Sequence, residues 1–203
     1  MDADIQINGE GCEEAWKSAL VLNHFKPYWN PQDPQKTELR LFSNGKALCF
    51  LYTVEDSEVV RRSVINEEMD IADEDRVVFG FSPEDHLAPY YFFEIDSKGR
   101  VLDYEAKYYR HFDESWDCDG LEVFAKDTDH GYTVEGKFPL DSLRTMNVLR
   151  PDGTLLAGFF RGDYVKDGDD DSNHVWISWI YPQTKDPDLH IRSAFGTLRI
   201  EDK

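Results

Sequence analysis

The stretch TELRLFSNGKALCFLYTV, from Thr37 to Val54, decides the fold. Leu39 and Leu41 alternate with polar neighbours, which is the two-residue period of a half-buried β-strand. Asn44-Gly45 then predicts a type I′ turn, because both residues tolerate the positive φ angles that this turn requires. The return run from Ala47 to Val54 is more continuously apolar, which indicates a more buried strand. The segment therefore predicts an antiparallel β-hairpin.

Strand-like segments separated by turn signals recur along most of the chain, and a helical period is rare. This predicts an all-β fold, an immunoglobulin-like or jelly-roll β-sandwich of two antiparallel sheets with one or two short helices. The clearest helical stretch, Glu13 to Leu20, is expected to close one end of the sandwich. No linker divides the chain, so residues 1–203 are predicted to form a single domain. The other strands are expected at Arg76 to Phe81, Tyr90 to Asp96, Arg100 to Lys107, Leu121 to Lys126, Tyr132 to Phe138, Leu155 to Tyr164, Val175 to Tyr181 and Gly196 to Ile200.

The charge balance limits the classes of partner. The chain has 41 acidic and 22 basic side chains and a formal net charge of -19. Such a surface repels phosphate backbones and anionic lipid headgroups, so nucleic acid and membrane surfaces are poor partners. The sequence shows no apolar run long enough for membrane insertion and no signal peptide at its start. Neutral sugars and cations fit better, and a protein partner or a homodimer stays open.

The motifs of common enzyme classes are absent from the sequence. It contains no nucleophile elbow, no HExxH helix, no phosphate-binding loop and no dinucleotide fingerprint. Cys12, Cys49 and Cys118 are widely spaced and specify neither a disulfide framework nor a zinc site. A glycoside hydrolase needs only two carboxylates at a suitable distance, and so acidic a chain offers such pairs anywhere. No catalytic residue is assigned, and hydrolysis is the weakest of the functional hypotheses.

One acidic segment is the best candidate for a metal site. In DGDDDSN, residues 167–173, side chains that carry oxygen alternate along the chain. Ca²⁺ prefers oxygen ligands of this kind, so calcium is the expected cofactor. The segment lacks the glycine and the distant glutamate of an EF-hand loop, and a solvated turn is the alternative. The predicted metal ligands are Asp167, Asp169, Asp171 and Asn173.

Aromatic side chains are the third chemical resource of the chain. Carbohydrate sites use flat aromatic faces to cover the apolar C–H face of a sugar ring, with a few polar groups for its hydroxyls. Trp176 and Trp179 are an odd number of positions apart in a predicted strand, so they should point to opposite faces of the sheet. One of them is then expected in the core and the other at a surface. Trp116 lies in a predicted loop, whereas Trp16 is expected to pack against the sandwich.

Several short motifs follow one another along the chain: Ile7-Asn8-Gly9 with Glu13 to Ala19, then Glu74 to Phe79, Gly131 to Glu135 and Phe195 to Leu198. They are similar, in turn, to the patterns I-x-G with E-x-x-W, D-D-x-V-E-V-F, G-W-T-V-E and F-G-x-L. With this series the chain resembles the family 9 carbohydrate-binding modules and the related DOMON-like β-sandwiches. The matches span almost the whole chain in the right order, so the resemblance implies the sandwich fold.

The resemblance also implies a function. It indicates a non-catalytic carbohydrate-binding module or accessory protein that recognises the end of a glycan, or a smaller sugar, by aromatic stacking and hydroxyl hydrogen bonds, with structural calcium. Trp179 is then expected as the stacking platform, with Arg161 and Glu94 as hydroxyl partners and Trp116 or Tyr108 on the other side. Relatives act beside polysaccharide-degrading enzymes, which implies an extracellular or periplasmic setting. The alternative is a DOMON-like scaffold or interaction domain that has lost sugar binding.

Overall fold

The computed structural model describes residues 5–30, 35–164 and 174–200. The segment from Thr37 to Val54 forms the predicted antiparallel hairpin, paired from Thr37↔Val54 to Ser43↔Leu48. Its turn is not type I′, because Gly45 has a positive φ of 82° and Asn44 does not. Instead, the Asn44 side-chain oxygen accepts the backbone N–H groups of Lys46 and Ala47 at 3.0 and 2.8 Å. The asparagine stabilises the turn through its side chain.

The described residues contain twelve strands in two antiparallel sheets, which confirms the predicted all-β sandwich. The strands are β1 (Leu20–Leu22), β2 (Thr37–Ser43), β3 (Ala47–Glu55), β4 (Arg76–Ser82), β5 (Tyr90–Asp96), β6 (Val101–Lys107), β7 (His111–Asp113), β8 (Glu122–Thr128), β9 (Gly131–Pro139), β10 (Thr154–Tyr164), β11 (His174–Ser178) and β12 (Gly196–Arg199). The five-stranded sheet has the order β1-β2-β3-β9-β8. The seven-stranded sheet has the order β11-β10-β4-β5-β6-β7, and β12 also pairs with β10. The sequence pattern does not reveal β1 and β7, because three residues are too few to show a period.

The main core lies between the two sheets. Val77, Phe79 and Phe81 alternate inward along β4 and are fully buried. The ring of Phe79 lies 4.6 Å from that of Phe50 and 5.3 Å from that of Phe138, both on the opposite sheet. Each such side chain contributes about 1.5–3 kcal/mol by its burial. The alternate residues of β4 point to the outer face of the seven-stranded sheet.

The predicted helix near the N-terminus is shorter than expected, and it does not pack at an end of the sandwich. It is a 3₁₀-helix, Glu14–Ser18, and the chain continues directly into β1. Trp16 packs against Cys49 and Phe42 on the outer face of the five-stranded sheet. The helix therefore covers a sheet face and does not close an end of the sandwich, because the Trp16 ring provides enough apolar surface to bury there.

The other helices in the described ranges are short. The α-helix, α1, spans Leu140–Thr145, and further 3₁₀-helices span Glu68–Asp73 and Arg192–Ala194. No helix in these ranges combines the length and the apolar character needed to cross a bilayer. The 3₁₀-helix at Glu68–Asp73 contacts β5 and β6, so it contributes to the cover of the seven-stranded sheet.

Candidate functional site

The outer face of the seven-stranded sheet carries an apolar layer of its own. Val78, Phe92 and Phe160 are fully buried in this layer. Residues of the 3₁₀-helix Glu68–Asp73 and of the segment 187–195 pack over them. A sheet covered on both faces loses the usual division into an apolar and a solvated side. Polar side chains within such a layer therefore need specific partners.

A hydrogen-bonded network of Arg76, Glu94 and Tyr104 lies in this layer. Arg76 Nε donates to Glu94 Oε2 at 2.5 Å, and the Tyr104 hydroxyl donates to Glu94 Oε1 at 3.0 Å. Arg76 and Glu94 are only 3% and 8% exposed. Burial, together with the Glu94 charge, raises the pKa of Tyr104 well above its usual value, so its hydroxyl stays a neutral donor. The network is preorganised by its own contacts.

Trp176 stands beside this network. Arg76 Cζ lies 4.8 Å from the centroid of the Trp176 ring, within cation–π range. Gly162 pairs with both residues across the strands, and a Cβ atom there would lie 3.1 Å from Arg76 Nη1 and 3.4 Å from Trp176 Cζ3. Glycine therefore lets the guanidinium and the half-buried indole pack closely over β10.

Within the described residues, the Arg76 nitrogen Nη2 is left as a donor for a ligand. Its Nη1 donates to the Glu74 carbonyl at 2.9 Å, and its Nε serves Glu94. Its Nη2 donates no hydrogen bond within the described part of the chain. This nitrogen is not sealed from solvent, so a ligand can reach it. A fixed donor next to an aromatic ring suits a hydroxyl-bearing ligand with an apolar face.

A second aromatic residue borders the same layer. Trp29 is half-buried and packs against this cluster, and its Nε1 donates to Thr184 Oγ1 at 3.2 Å. The sequence gives no local signal for this role, because Trp29 lies in a loop far along the chain from the network. It joins the layer because Lys26 pairs with Ser178 at the end of β11.

The five predicted ligand residues do not form one site. Glu94 belongs to the network, and Tyr108 is exposed at the turn after β6. Trp116 packs on Tyr91 with ring centroids 4.9 Å apart. Trp179 packs on Phe159 at 5.2 Å beside the inter-sheet core, on the opposite face from Trp176. The predicted opposition of Trp176 and Trp179 is confirmed, and it is Trp176 that faces the network.

Arg161 is separated from Glu94 by the alternation of the strand. Its side chain points inward and is fully buried. Arg161 Nη2 donates to Asp56 Oδ2 at 2.9 Å and to Asp163 Oδ1 at 3.1 Å, and Nη1 donates to the Glu55 carbonyl at 3.0 Å. The Arg161 guanidinium is thus paired with groups of the protein itself. The prediction that Arg161 and Glu94 form one site is wrong, because the two side chains point to opposite faces of the sheet.

The predicted calcium ligands Asp167, Asp169, Asp171 and Asn173 lie outside the described residues. A different oxygen-rich set precedes them: the carboxylates of Asp56, Asp75 and Asp163 offer oxygens within 4.8 Å of one another. Such donors suit Ca²⁺.

The surroundings of this carboxylate set are strongly polar and deeply buried. Both oxygens of Asp75 accept backbone N–H groups, those of Val60 and Tyr164, at 2.5 Å. Burial, together with the negative charges of Asp56 and Asp163, raises the pKa of Asp75 to about 8. Burial raises the pKa of the Tyr132 hydroxyl, and the charges of the three carboxylates act in the same direction. This hydroxyl is sealed from solvent and unpaired within the described part of the chain. The donor set therefore fits a cation, although Arg161 already neutralises part of its charge.

The comparisons with known proteins agree with this architecture. Residues 7–203 match the family described as "Carbohydrate family 9 binding domain-like". The chain belongs to this family. Family 9 domains are binding modules, which places the chain with carbohydrate-binding domains and not with a catalytic class. No curated protein matches the chain.

Solved structures share the fold of this family 9 domain. A candidate carbohydrate-binding protein of Bacteroides uniformis has a TM-score of 0.75 at 19% identity, with 96% of this chain and 93% of that chain covered. A family 9 module of Caldicellulosiruptor kristjanssonii in complex with glucose has a TM-score of 0.62 at 15% identity, with 99% and 93% covered. The cellotriose complex of a module from the same organism has a TM-score of 0.63 at 15% identity, with 99% and 91% covered. Identities this low establish a common fold.

Two motif residues of the resemblance have structural roles. Trp16 Nε1 donates to Glu135 Oε1 at 3.0 Å. Glu135 Oε2 accepts the backbone N–H groups of Asn8 and Gly9 at 2.9 and 2.7 Å. The tryptophan and the glutamate thus join the N-terminal segment to β9, and neither faces the network of Arg76.

Proposed function

We propose that this protein binds carbohydrate without catalysis, on the outer face of its seven-stranded sheet. The observation that carries the proposal is the network of Arg76, Glu94 and Tyr104 with a spare guanidinium donor beside Trp176. Membership in a carbohydrate-binding family supports the ligand class. The glucose and cellotriose complexes of structural neighbours support it further.

Each residue of the site has a separate role in this proposal. Trp176 supplies a flat face for the C–H surface of a pyranose ring. Arg76 Nη2 donates to a sugar hydroxyl, and Glu94 accepts from another while Tyr104 fixes its orientation. Because the charge of Glu94 neutralises that of Arg76, and the whole chain carries a net charge of -19, neutral sugars are favoured over acidic ones.

The two tryptophans of the β11 region provide the matched test. Thermal unfolding across a panel of neutral sugars identifies a ligand, because a ligand that binds only the native state raises the unfolding midpoint. Calorimetry then compares Trp176→Ala with Trp179→Ala. Trp176→Ala should lower the affinity by about tenfold or more, the equivalent of about 1.4 kcal/mol. Trp179→Ala should lower the midpoint of unfolding and leave the affinity of the folded protein nearly unchanged. The reverse pattern would return the platform to Trp179, and no response to any sugar would favour the scaffold alternative.

Calcium remains a proposal beside this function. Asp56, Asp75 and Asp163 would hold the ion through carboxylate oxygens, with the predicted ligands at 167–173 as the other candidate set. A bound ion would stabilise the fold, so calcium should raise the unfolding midpoint and a chelator should lower it. If Asp75→Asn abolishes the response, the ion belongs to the first set, and if Asp169→Asn does so, it belongs to the second.

The cellular setting is also proposed. A binding module for glycans is useful where glycans are degraded, so we propose an extracellular or periplasmic location beside polysaccharide-degrading enzymes. The single-domain organisation and a protein or homodimer partner remain predictions. A sedimentation measurement with and without the sugar identified above tests the homodimer.

A further inference from the structure

Three aromatic side chains crowd the turn that joins β6 to β7. Tyr108, Tyr109 and Phe112 are 56%, 45% and 43% exposed, although large rings of this kind usually bury most of their surface. The rings of Tyr108 and Tyr109 lie 5.3 Å apart. We call these three residues the aromatic turn. An exposed cluster of rings commonly marks a place where something binds.

Tyr109 is held in position from two sides. Its hydroxyl donates to Asp188 Oδ2 at 2.7 Å. Arg110 Nη2 donates to Oδ1 of the same carboxylate at 3.1 Å, and its Cζ lies 5.2 Å from the centroid of the Tyr109 ring. A ring fixed before binding loses little rotamer freedom when a ligand stacks on it.

The aromatic turn is continuous with the proposed sugar site. The ring of Phe112 lies 5.1 Å from that of Tyr104 and 5.3 Å from that of His190. Tyr104 is the residue whose hydroxyl donates to Glu94. Tyr104 and His190 are buried, so these contacts run inside the covered layer, and Phe112 stands at the exposed rim of the layer that holds the network.

The distance between the two aromatic ends indicates the size of the ligand. Trp176 lies on β11 and Phe112 on β7, which are the two ends of the strand order β11-β10-β4-β5-β6-β7. Five spacings of about 4.8 Å separate these strands by about 24 Å across the sheet. The register also places Trp176 level with Asp96 and Phe112 level with Tyr90, at opposite ends of β5, so the two rings are further apart than this. One sugar ring cannot contact both ends, whereas a chain of linked sugars can.

The chemistry of the turn favours a neutral glycan over a protein partner. The rings are bordered by the Tyr109 hydroxyl, the Arg110 guanidinium and the Asp188 carboxylate. The guanidinium and the carboxylate form an ion pair, so their charges compensate each other. Stacking surfaces with hydrogen-bonding groups at their rims match the C–H faces and hydroxyls of sugars. A protein anchor would instead need a desolvated apolar pocket.

We propose that the aromatic turn is a second subsite, which extends the ligand from a single sugar to a glycan chain. This inference rests on the proposed function and specifies its ligand as an oligosaccharide or polysaccharide. The first sugar lies at Trp176 and Arg76, and a later unit of the chain stacks on Tyr109.

Calorimetric titration with oligomers of one to six units tests the inference, using β-1,4-linked glucose, xylose and mannose. For the series that binds, the affinity of the native protein should rise by about tenfold from the single sugar to the long chains. Tyr109→Ala should remove this gain and leave the affinity for the single sugar unchanged. Tyr109→Phe keeps the ring and should keep most of the gain. Phe124→Ala is the matched control, because Phe124 is an exposed aromatic residue on β8 of the other sheet.

The outcomes separate the two proposals. An affinity that does not depend on chain length, or an equal loss for short and long ligands in Tyr109→Ala, overturns the second subsite while sugar binding stands. Failure of every sugar to bind overturns the proposed function and the second subsite together. If Tyr109→Ala does not fold, as judged by its thermal midpoint, Tyr108→Ala carries the same test, and retention of the full gain in it counts against the subsite.

Discussion

Among the described residues, each sheet of the sandwich buries one glutamate on its outer face, and the two carboxylates are used differently. On the five-stranded sheet, Glu135 accepts three N–H groups, from Trp16, Asn8 and Gly9. On the seven-stranded sheet, Glu94 accepts from Arg76 and Tyr104, next to Arg76 Nη2, which donates no hydrogen bond to any described residue. A carboxylate satisfied entirely by the N-terminal segment fastens that segment to the sheet. A network with a donor left over is able to receive a ligand.

The largest expected effect comes from removing the fastening carboxylate. Glu135→Ala leaves three donors without an acceptor, and each unsatisfied buried donor costs about 1–3 kcal/mol. The free energy of unfolding should fall by about 3–5 kcal/mol, measured by urea unfolding. The affinity of the remaining folded protein for sugar should not change. A loss below about 1 kcal/mol would mean that the N-terminal segment is not fastened through Glu135.

The outer face of the seven-stranded sheet should also respond to pH through His190. Burial, with a further contribution from Arg110, lowers the pKa of His190 from 6.5 to about 4. The folded protein therefore favours the neutral ring. The stability that His190 contributes is complete above pH 6.5 and is lost as the pH falls towards 4. At 1.36 kcal/mol per unit, the loss is about 3 kcal/mol at most.

Urea unfolding at several pH values between 7 and 4 checks this expectation. In His190→Gln, the free energy of unfolding should change less between pH 7 and 4 than in the native protein. His86→Gln, at an exposed histidine, should leave the pH dependence as in the native protein. Carboxylates with lowered pKa values, such as Asp113 and Asp152, also destabilise the folded protein as the pH falls. Only the difference between the two variants therefore isolates His190. Equal slopes in both variants would contradict the assignment.

The alternation of the strands made much of this fold predictable, and it explains where the site prediction stopped. The hairpin at Thr37 to Val54 and the alternation of Trp176 and Trp179 follow from the period of two. The same rule places Arg161 and Glu94 on opposite faces once their strands are aligned. It could not place Trp176 beside Arg76, because that contact depends on β10 lying between β11 and β4, a sheet order that local sequence does not contain.

Exchanging glutamate for glutamine sharpens the comparison between the two faces. Glu94→Gln keeps the shape of the side chain and removes the charge that orients Arg76, so the sugar affinity should fall by about tenfold. The same exchange at Glu135 should reduce stability and leave affinity unchanged, because no ligand contacts that face in our proposal. Calorimetry and thermal unfolding on both variants give the comparison. An affinity loss in Glu135→Gln alone would move the site to the five-stranded sheet.

The smallest expected effect comes from Gly162, which supports the contact between Arg76 and Trp176. In Gly162→Ala, a Cβ atom 3.1 Å from Arg76 Nη1 would displace the guanidinium by a few tenths of an ångström, so the affinity should fall by about threefold, which is below 1 kcal/mol. The counterpart on the other sheet is Gly136, where a Cβ atom would meet Phe50 and the Glu122 carbonyl at 2.4 Å. Gly136→Ala should therefore destabilise the fold without changing the affinity of the folded protein. If calorimetry finds full affinity in Gly162→Ala, the position of Arg76 over Trp176 does not determine binding, and the sugar must rely on other groups of the layer.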